Sequence, residues 1–129
     1  MNRAEKRRQQ KLAEKAKKNS AGAAVAPQSL APNSLDLAVQ HHSAGRLPEA
    51  EHLYQQILQA DPDHPVALHL LGLIAHQVGN NESAVELISK ALSIRPDYVE
   101  AHSNLGNAYS RLGRTTEAMA SYRKALAIR

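Results

Sequence analysis

NLGNAYSRLGRTTEAMASYRKAL, residues 104 to 126, decides the fold, because much of it returns 34 residues earlier as LLGLIAHQVGNNESAVELISKAL, residues 70 to 92. Leu71, Gly72, Gly79, Ala84, Ala91, Leu92 and Ile94 recur as Leu105, Gly106, Gly113, Ala118, Ala125, Leu126 and Ile128. A looser copy stands one period earlier at Leu37, Ala38, Gly45, Ala50, Ile57, Leu58 and Ala60, and Pro62 and Pro96 keep the same interval. Self-similarity at such a period marks an array in which each unit buries its apolar face on the next.

The spacing inside a copy predicts two helices. Leu68, Leu71, Gly72 and Ala75 fall at i, i+3, i+4 and i+7, and His102, Leu105, Gly106 and Tyr109 repeat the stripe. A helical glycine costs about 1 kcal/mol relative to alanine, so Gly72 and Gly106 on that stripe imply a close neighbour, for which Ala84 and Ala118 are the candidates. Gly79 and Gly113 stand where the first helix should end in a left-handed residue. A second helix then starts near Pro48, Asn81 or Thr115, carrying Ala84, Ile88, Ala91 and Leu92 in the middle copy and Ala118, Tyr122, Ala125 and Leu126 in the last. Pro62 and Pro96 close the unit, and Asp97 followed by Glu100 reads as a capping box for the next helix.

These residues resemble the tetratricopeptide repeat, a helix-turn-helix unit of this period with the pattern Trp-x2-Leu-Gly-x2-Tyr, Ala-x3-Phe, Pro. The last copy carries it as His102, Leu105-Gly106, Tyr109, Ala118 and Tyr122; the middle copy carries it as Leu68, Leu71-Gly72, Ala75, Ala84, Ile88 and Pro96. The first copy departs, with Ser34 and Ala38 at the places of the large residue and the glycine. The resemblance implies an all-α, right-handed solenoid of about three repeats, with copies at 34–64, 65–98 and 99–129. Residues 104 to 126 also resemble repeats of bacterial proteins similar to O-GlcNAc transferases. In that group such arrays commonly precede a glycosyltransferase or sulfotransferase domain. Asparagines line the inner face of the superhelix there; Asn104 matches one, whereas Leu70 and Asp36 at the equivalent sites do not.

In this resemblance a second stripe on each first helix faces a concave groove. It comprises Leu35, Val39 and His42, then His69, Leu73 and His76, then Ser103, Asn107 and Ser110, with Leu70 and Asn104 beside it and Arg111 at its edge. Leu35, Val39, Leu70 and Leu73 would hold an apolar segment while Asn104 and Asn107 hydrogen-bond its extended backbone. The expected function is a protein-protein interaction module, a scaffold or adaptor that takes a peptide or protein in its groove. One alternative is the targeting or substrate-binding arm of a larger transferase whose catalytic domain lies outside this chain. Repeat proteins that grip a C-terminal carboxylate use several Lys and Arg side chains in the groove, and here Arg111 alone is available.

Working outward, residues 19–33 are rich in Ala, Ser and Pro and read as a linker, so residues 1–33 are expected to be a disordered tail. The formal net charge is +4, but residues 1–18 hold eight basic side chains against Glu5 and Glu14, leaving eight basic against ten acidic in the repeats. Basicity therefore belongs to the tail, which could meet nucleic acid or a ribosome only by weak, salt-sensitive attraction, since it has no aromatic residue to stack on bases. With no apolar run long enough for a secretory signal or a bilayer span, no membrane insertion is expected and a cytoplasmic location is. Cysteine, Trp and Phe are absent, which excludes disulfides and thiolate chemistry and leaves Leu, Ile, Val and Ala to build the core.

Seven histidines invite a metal reading. His69 and His76, however, lie two helical turns apart, about 10 Å, too far for one tetrahedral ion. Carboxylates such as Asp61, Asp63, Glu82 and Glu86 fall near turns or exposed faces, and no Ser-His-Asp set, phosphate loop or HExxH appears. The expectation is no enzyme activity in this chain, no metal and no cofactor. Because the last copy stops at Ile128-Arg129 with no polar capping helix, a fragment of a longer protein, or self-association through the open end, is also expected.

Overall fold

The computed structural model describes residues 33–129, and the expectations for the basic tail and most of the linker lie outside them. Six α-helices follow one another: α1 (Ser34–Ser43), α2 (Leu47–Ala60), α3 (Pro65–Gln77), α4 (Asn81–Ile94), α5 (Val99–Arg111) and α6 (Thr115–Ile128). The described residues contain no strand. Each helix packs on its successor, most closely within the pairs α1/α2, α3/α4 and α5/α6, and the first helices α3 and α5 also touch. The pairs follow one another as an all-α solenoid of the expected class.

One backbone device ends all three first helices. Gly45, Gly79 and Gly113 have φ of 81°, 91° and 75°, the left-handed region that side-chain-bearing residues avoid. Their amides donate to the carbonyls of His42, His76 and Ser110 at 3.1, 3.0 and 3.0 Å, and the next amides, of Arg46, Asn80 and Arg114, reach back to His41, Ala75 and Tyr109 at 2.8, 2.7 and 2.9 Å. This pair of bonds satisfies carbonyls a helix end leaves orphaned, and it reverses the chain into the second helix. Pro48 in the first turn of α2, Pro65 in that of α3 and Asn80 capping α4 then set the helix starts.

Two apolar clusters hold the pairs together. Ala38, Ala50, Tyr54, Ile57, Ala67 and Ile74 form one, and Ala84, Ile88, Tyr98, Ala101, Leu105 and Ala108 the other. The core is therefore not wholly aliphatic: Tyr54 is fully buried and Tyr98 nearly so, because each hydroxyl finds a histidine partner inside. The close neighbours of the helical glycines also differ from the expected alanines. A Cβ on Gly72 would lie 2.7 Å from Ile88 Cγ1, with the Ala84 carbonyl oxygen third at 3.4 Å, and one on Gly106 would meet the Tyr122 ring. Ala84 thus approaches Gly72 through its backbone, and the side chains of Ala84 and Ala118 are both buried.

The capping box at Asp97 does not form. Tyr98 occupies the cap position of α5 without a side-chain cap bond, while Asp97 lies 3.8 Å from Arg95. Tyr98 is drawn there by two contacts, its ring under the Arg95 guanidinium at 4.6 Å and its hydroxyl on His69.

Candidate functional site

Side chains that reach from one first helix to the next define a continuous face on α1, α3 and α5. His42 Nε2 on α1 meets Gln77 Oε1 on α3 at 2.8 Å, and Asn104 Nδ2 on α5 meets His69 Nε2 on α3 at 2.7 Å. Each histidine is held from its other nitrogen by a tyrosine hydroxyl, His42 by Tyr54 at 3.1 Å and His69 by Tyr98 at 2.9 Å. The acceptor Gln77 Oε1 requires a proton on His42 Nε2, so Tyr54 donates to Nδ1. At His69 the amide of Asn104 donates to Nε2, so Nδ1 carries the proton and Tyr98 accepts. The two rings thus use opposite tautomers, each dictated by its partners.

Burial sets the protonation of this floor. His69 is only 3 % exposed, and loss of hydration pushes its pKa down to about 4 against a smaller opposing pull from Glu100. Burial likewise pushes the Tyr54 hydroxyl up to about 12 and raises that of Tyr98. His69 is thus neutral at pH 7, and both tyrosines are protonated.

The residues expected to form the groove divide into floor and surface. Leu35 and Leu70 are half-buried and pack on the first cluster; His42, His69 and Asn104 belong to the hydrogen-bonded bridges. His76 is half-buried and donates from Nδ1 to Asn81 Oδ1 at 2.6 Å. Val39, Asn107, Ser110 and Arg111 are exposed, and Leu73 and Ser103 are half-buried. Asn107 is not unencumbered, since its Oδ1 accepts from the Tyr122 hydroxyl at 2.6 Å.

Sequence reasoning missed Gln77, Tyr54, Tyr98 and Tyr122 as partners of this face. Tyr122 stood in the repeat pattern and could have been placed near Gly106, but Tyr98 lies 29 residues from His69 with no motif joining them. Among the described residues no group of three or more His, Asp or Glu side chains could hold a metal ion, and no helix is long and apolar enough to cross a membrane.

A family model described as tetratricopeptide repeat matches residues 30–97 and again residues 63–129. The chain belongs to the tetratricopeptide repeat family. Similar solved structures include MamA, with a TM-score of 0.69 and 23% identity over 80% of this tetratricopeptide chain. The second repeat region of Spaghetti (RPAP3), bound to the HSP90 peptide SRMEEVD, aligns with a TM-score of 0.72 and 18% identity over 75% of the chain and 90% of its own. An O-GlcNAc transferase of Thermobaculum terrenum aligns with a TM-score of 0.73 and 32% identity over 74% of the chain. The chain spans 58% of the MamA structure and 18% of the transferase. No curated protein matches by sequence.

Proposed function

We propose that this tetratricopeptide array is a protein-interaction module that takes an extended peptide segment along the face of α1, α3 and α5. The carrying observation is that the two asparagines of α5 are each half committed. Asn104 gives its Nδ2 to His69 and keeps Oδ1; Asn107 gives its Oδ1 to Tyr122 and keeps Nδ2. An extended residue presents its N–H and its C=O to the same side, so one acceptor and one donor on adjacent turns suit it. Val39 and Leu73 supply apolar surface further along the face, at a position where the floor is already satisfied and has no polar group to desolvate. A protein of similar fold, the second repeat region of Spaghetti, is bound to a peptide in its solved structure, which supports a peptide as the partner class. No reaction is assigned to these residues.

A panel of peptides selected on the wild-type chain from a random display library tests the reading. The double variant L73A/N107A should bind them at least about tenfold more weakly while its helical circular dichroism stays close to wild type and its urea midpoint falls by no more than about 1 M, as loss of the Tyr122 bond and part of a half-buried leucine requires. Equal binding by the variant refutes the groove.

A second reading is favoured by the 32% identity with the transferase, in which this array would be the substrate-binding arm of a larger enzyme. Sequencing the gene past the Arg129 codon tests it: an open reading frame encoding a glycosyltransferase-like or sulfotransferase-like domain supports it, and an immediate stop codon refutes it.

A further inference from the structure

The first and last helices expose side chains whose equivalents in the middle of the array are covered. Leu71 on α3 and Leu105 on α5 pack into the two clusters, Leu105 to 8% exposure, whereas Leu37, at the same place on α1, is 41% exposed. Val85 and Leu92 on α4 pack into the second cluster, whereas Met119 and Leu126, one period later on α6, are 47% and 67% exposed.

The inner junctions show what these places meet. Glu51 and Gln55 of α2 line a groove with Leu71, Ala75, Ser83 and Leu87 of the α3/α4 pair. One period before those four stand Leu37, His41, Glu49 and Leu53, which line a groove on α1 and α2 that no helix precedes among the described residues. Two periods after Glu51 and Gln55 stand Met119 and Arg123 of α6. One more junction of the same kind, between two molecules, therefore brings Met119 to Leu37 and Leu53, and Arg123 to Glu49. Leu126 then approaches Leu37 as Leu92 approaches Leu105, with which it shares a groove.

Charge is complementary in that register. The neutral Gln55 and Ser83 of the inner junction are replaced by Arg123 and Glu49 at the outer one. Among the described residues the ion pairs are Arg95–Asp97 and Arg114–Glu117, so Glu49 and Arg123 are both left over. The whole array has the same polarity, since residues 33–86 hold seven acidic side chains against one basic, and residues 87–129 hold seven basic against three acidic. Unlike ends attract, while α6 against α6 would set Arg123, Lys124 and Arg129 against their own copies. Asn33 and Gln40 are exposed on α1 where Ala67 and Ile74 are buried on α3, which keeps the contact weak and reversible.

We propose that α6 docks on the α1/α2 groove of a second copy of this chain, head to tail. The interface is heterologous, so every added copy leaves one groove and one α6 free, and association runs past two. Its residues are not those of the peptide stripe, and it stands or falls without that reading.

Sedimentation of the full chain from about 10 to 500 µM at low salt, a range suited to a small interface, tests the proposal. The mean mass should climb beyond that of a dimer, and R123Q should weaken each step about 2- to 5-fold, the worth of an exposed ion pair. Leu37→Glu blocks the groove and Leu126→Glu blocks α6; both places are exposed, so the helical signal of each variant should match wild type. Each variant alone should stay monomeric. Mixed in equal amounts they should form a dimer and nothing larger, through the α6 of the Leu37 variant and the groove of the Leu126 variant. A wild-type chain that stays monomeric, a Leu37→Glu variant that still associates, as pairing of α6 on α6 requires, or a mixture that stays monomeric would overturn the assignment.

Discussion

Replacing Gly72 by alanine and Gly106 by alanine separates two kinds of close approach that look alike in the repeat pattern. At Gly106 the added Cβ would come within 2.5 to 2.8 Å of three Tyr122 ring atoms; at Gly72 the nearest atom, Ile88 Cγ1, is at 2.7 Å. Distance alone ranks Gly106 as the worse site. The neighbours reverse that ranking. Tyr122 is half-buried and can swing outward, losing its Asn107 bond, worth about 1 kcal/mol, while the helix gains about 1 kcal/mol in propensity. Ile88 is fully buried, and a Cβ on Gly72 also presses on Leu87 Cβ at 3.2 Å, while the Ala84 carbonyl at 3.4 Å is already in van der Waals contact and closes the third side. Overpacking of this kind costs roughly 1–3 kcal/mol, and two crowded neighbours, one of them fully buried, place it in the upper part of that range. Alanine does occupy the equivalent place in the first copy at Ala38, but α1 packs mainly on α2, whereas the α3/α4 pair lies between two others and cannot spread. Gly72→Ala should therefore lose about 1–2 kcal/mol net, and Gly106→Ala about 0–1. Urea unfolding followed by helical circular dichroism should show the Gly72 variant's midpoint lower by about 1 M. A Gly72 variant as stable as wild type, or less destabilised than the Gly106 variant, refutes the reasoning.

Gly113→Ala meets no atom within 4 Å, so its cost is the left-handed backbone alone, about 1 kcal/mol in the same urea assay. Tyr98→Phe leaves the His69 Nδ1–H buried without an acceptor and should lose about 1–3 kcal/mol, most of it recovered when His69 is also replaced by leucine. His69 itself should hold its neutral ring resonance until the pH approaches 4 in an NMR titration; a midpoint near 6 would contradict its burial. Because the folded pKa of about 4 lies below the ordinary 6.5, the unfolded chain binds the extra proton between those values. The contribution of His69 is thus complete above pH 6.5 and falls as the pH drops towards 4, by about 3 kcal/mol in all.

What the chain shows on its face is whatever recurs. The 34-residue interval identifies the hairpin because every unit solves the same burial problem, and the three left-handed glycines are legible because no other residue ends a helix there without strain. Contacts made once leave no such trace. His69 sits on the stripe that should line the groove, yet Tyr98 folds back from the segment before α5 and covers it. The same event displaces Asp97 from the cap. Composition suggested an aliphatic core, and Tyr54 escapes that inference only because His42, 12 residues away and on another helix, gives its hydroxyl somewhere to go. The pattern reads the frame; the tyrosines and histidines that cross it depend on pairings visible only once the helices are stacked.

Those crossings also bear on what the face could recognise. Had His42, His69 and Asn104 been free, the groove would offer a row of polar groups able to discriminate a charged ligand. Instead both ring nitrogens of each histidine are occupied by protein partners, in tautomers that oppose one another, and His69 stays uncharged at neutral pH. A floor so satisfied has little to exchange for a ligand's hydration, and a carboxylate laid on it would lose water without gaining a cation until it reached Arg111. Selectivity on such a face has to come from shape at Val39 and Leu73 and from the backbone-matching halves of Asn104 and Asn107. On this argument affinity for a neutral segment should change little between low and moderate salt, whereas a strong loss of affinity with added salt would move the binding energy to Arg111 and away from the floor.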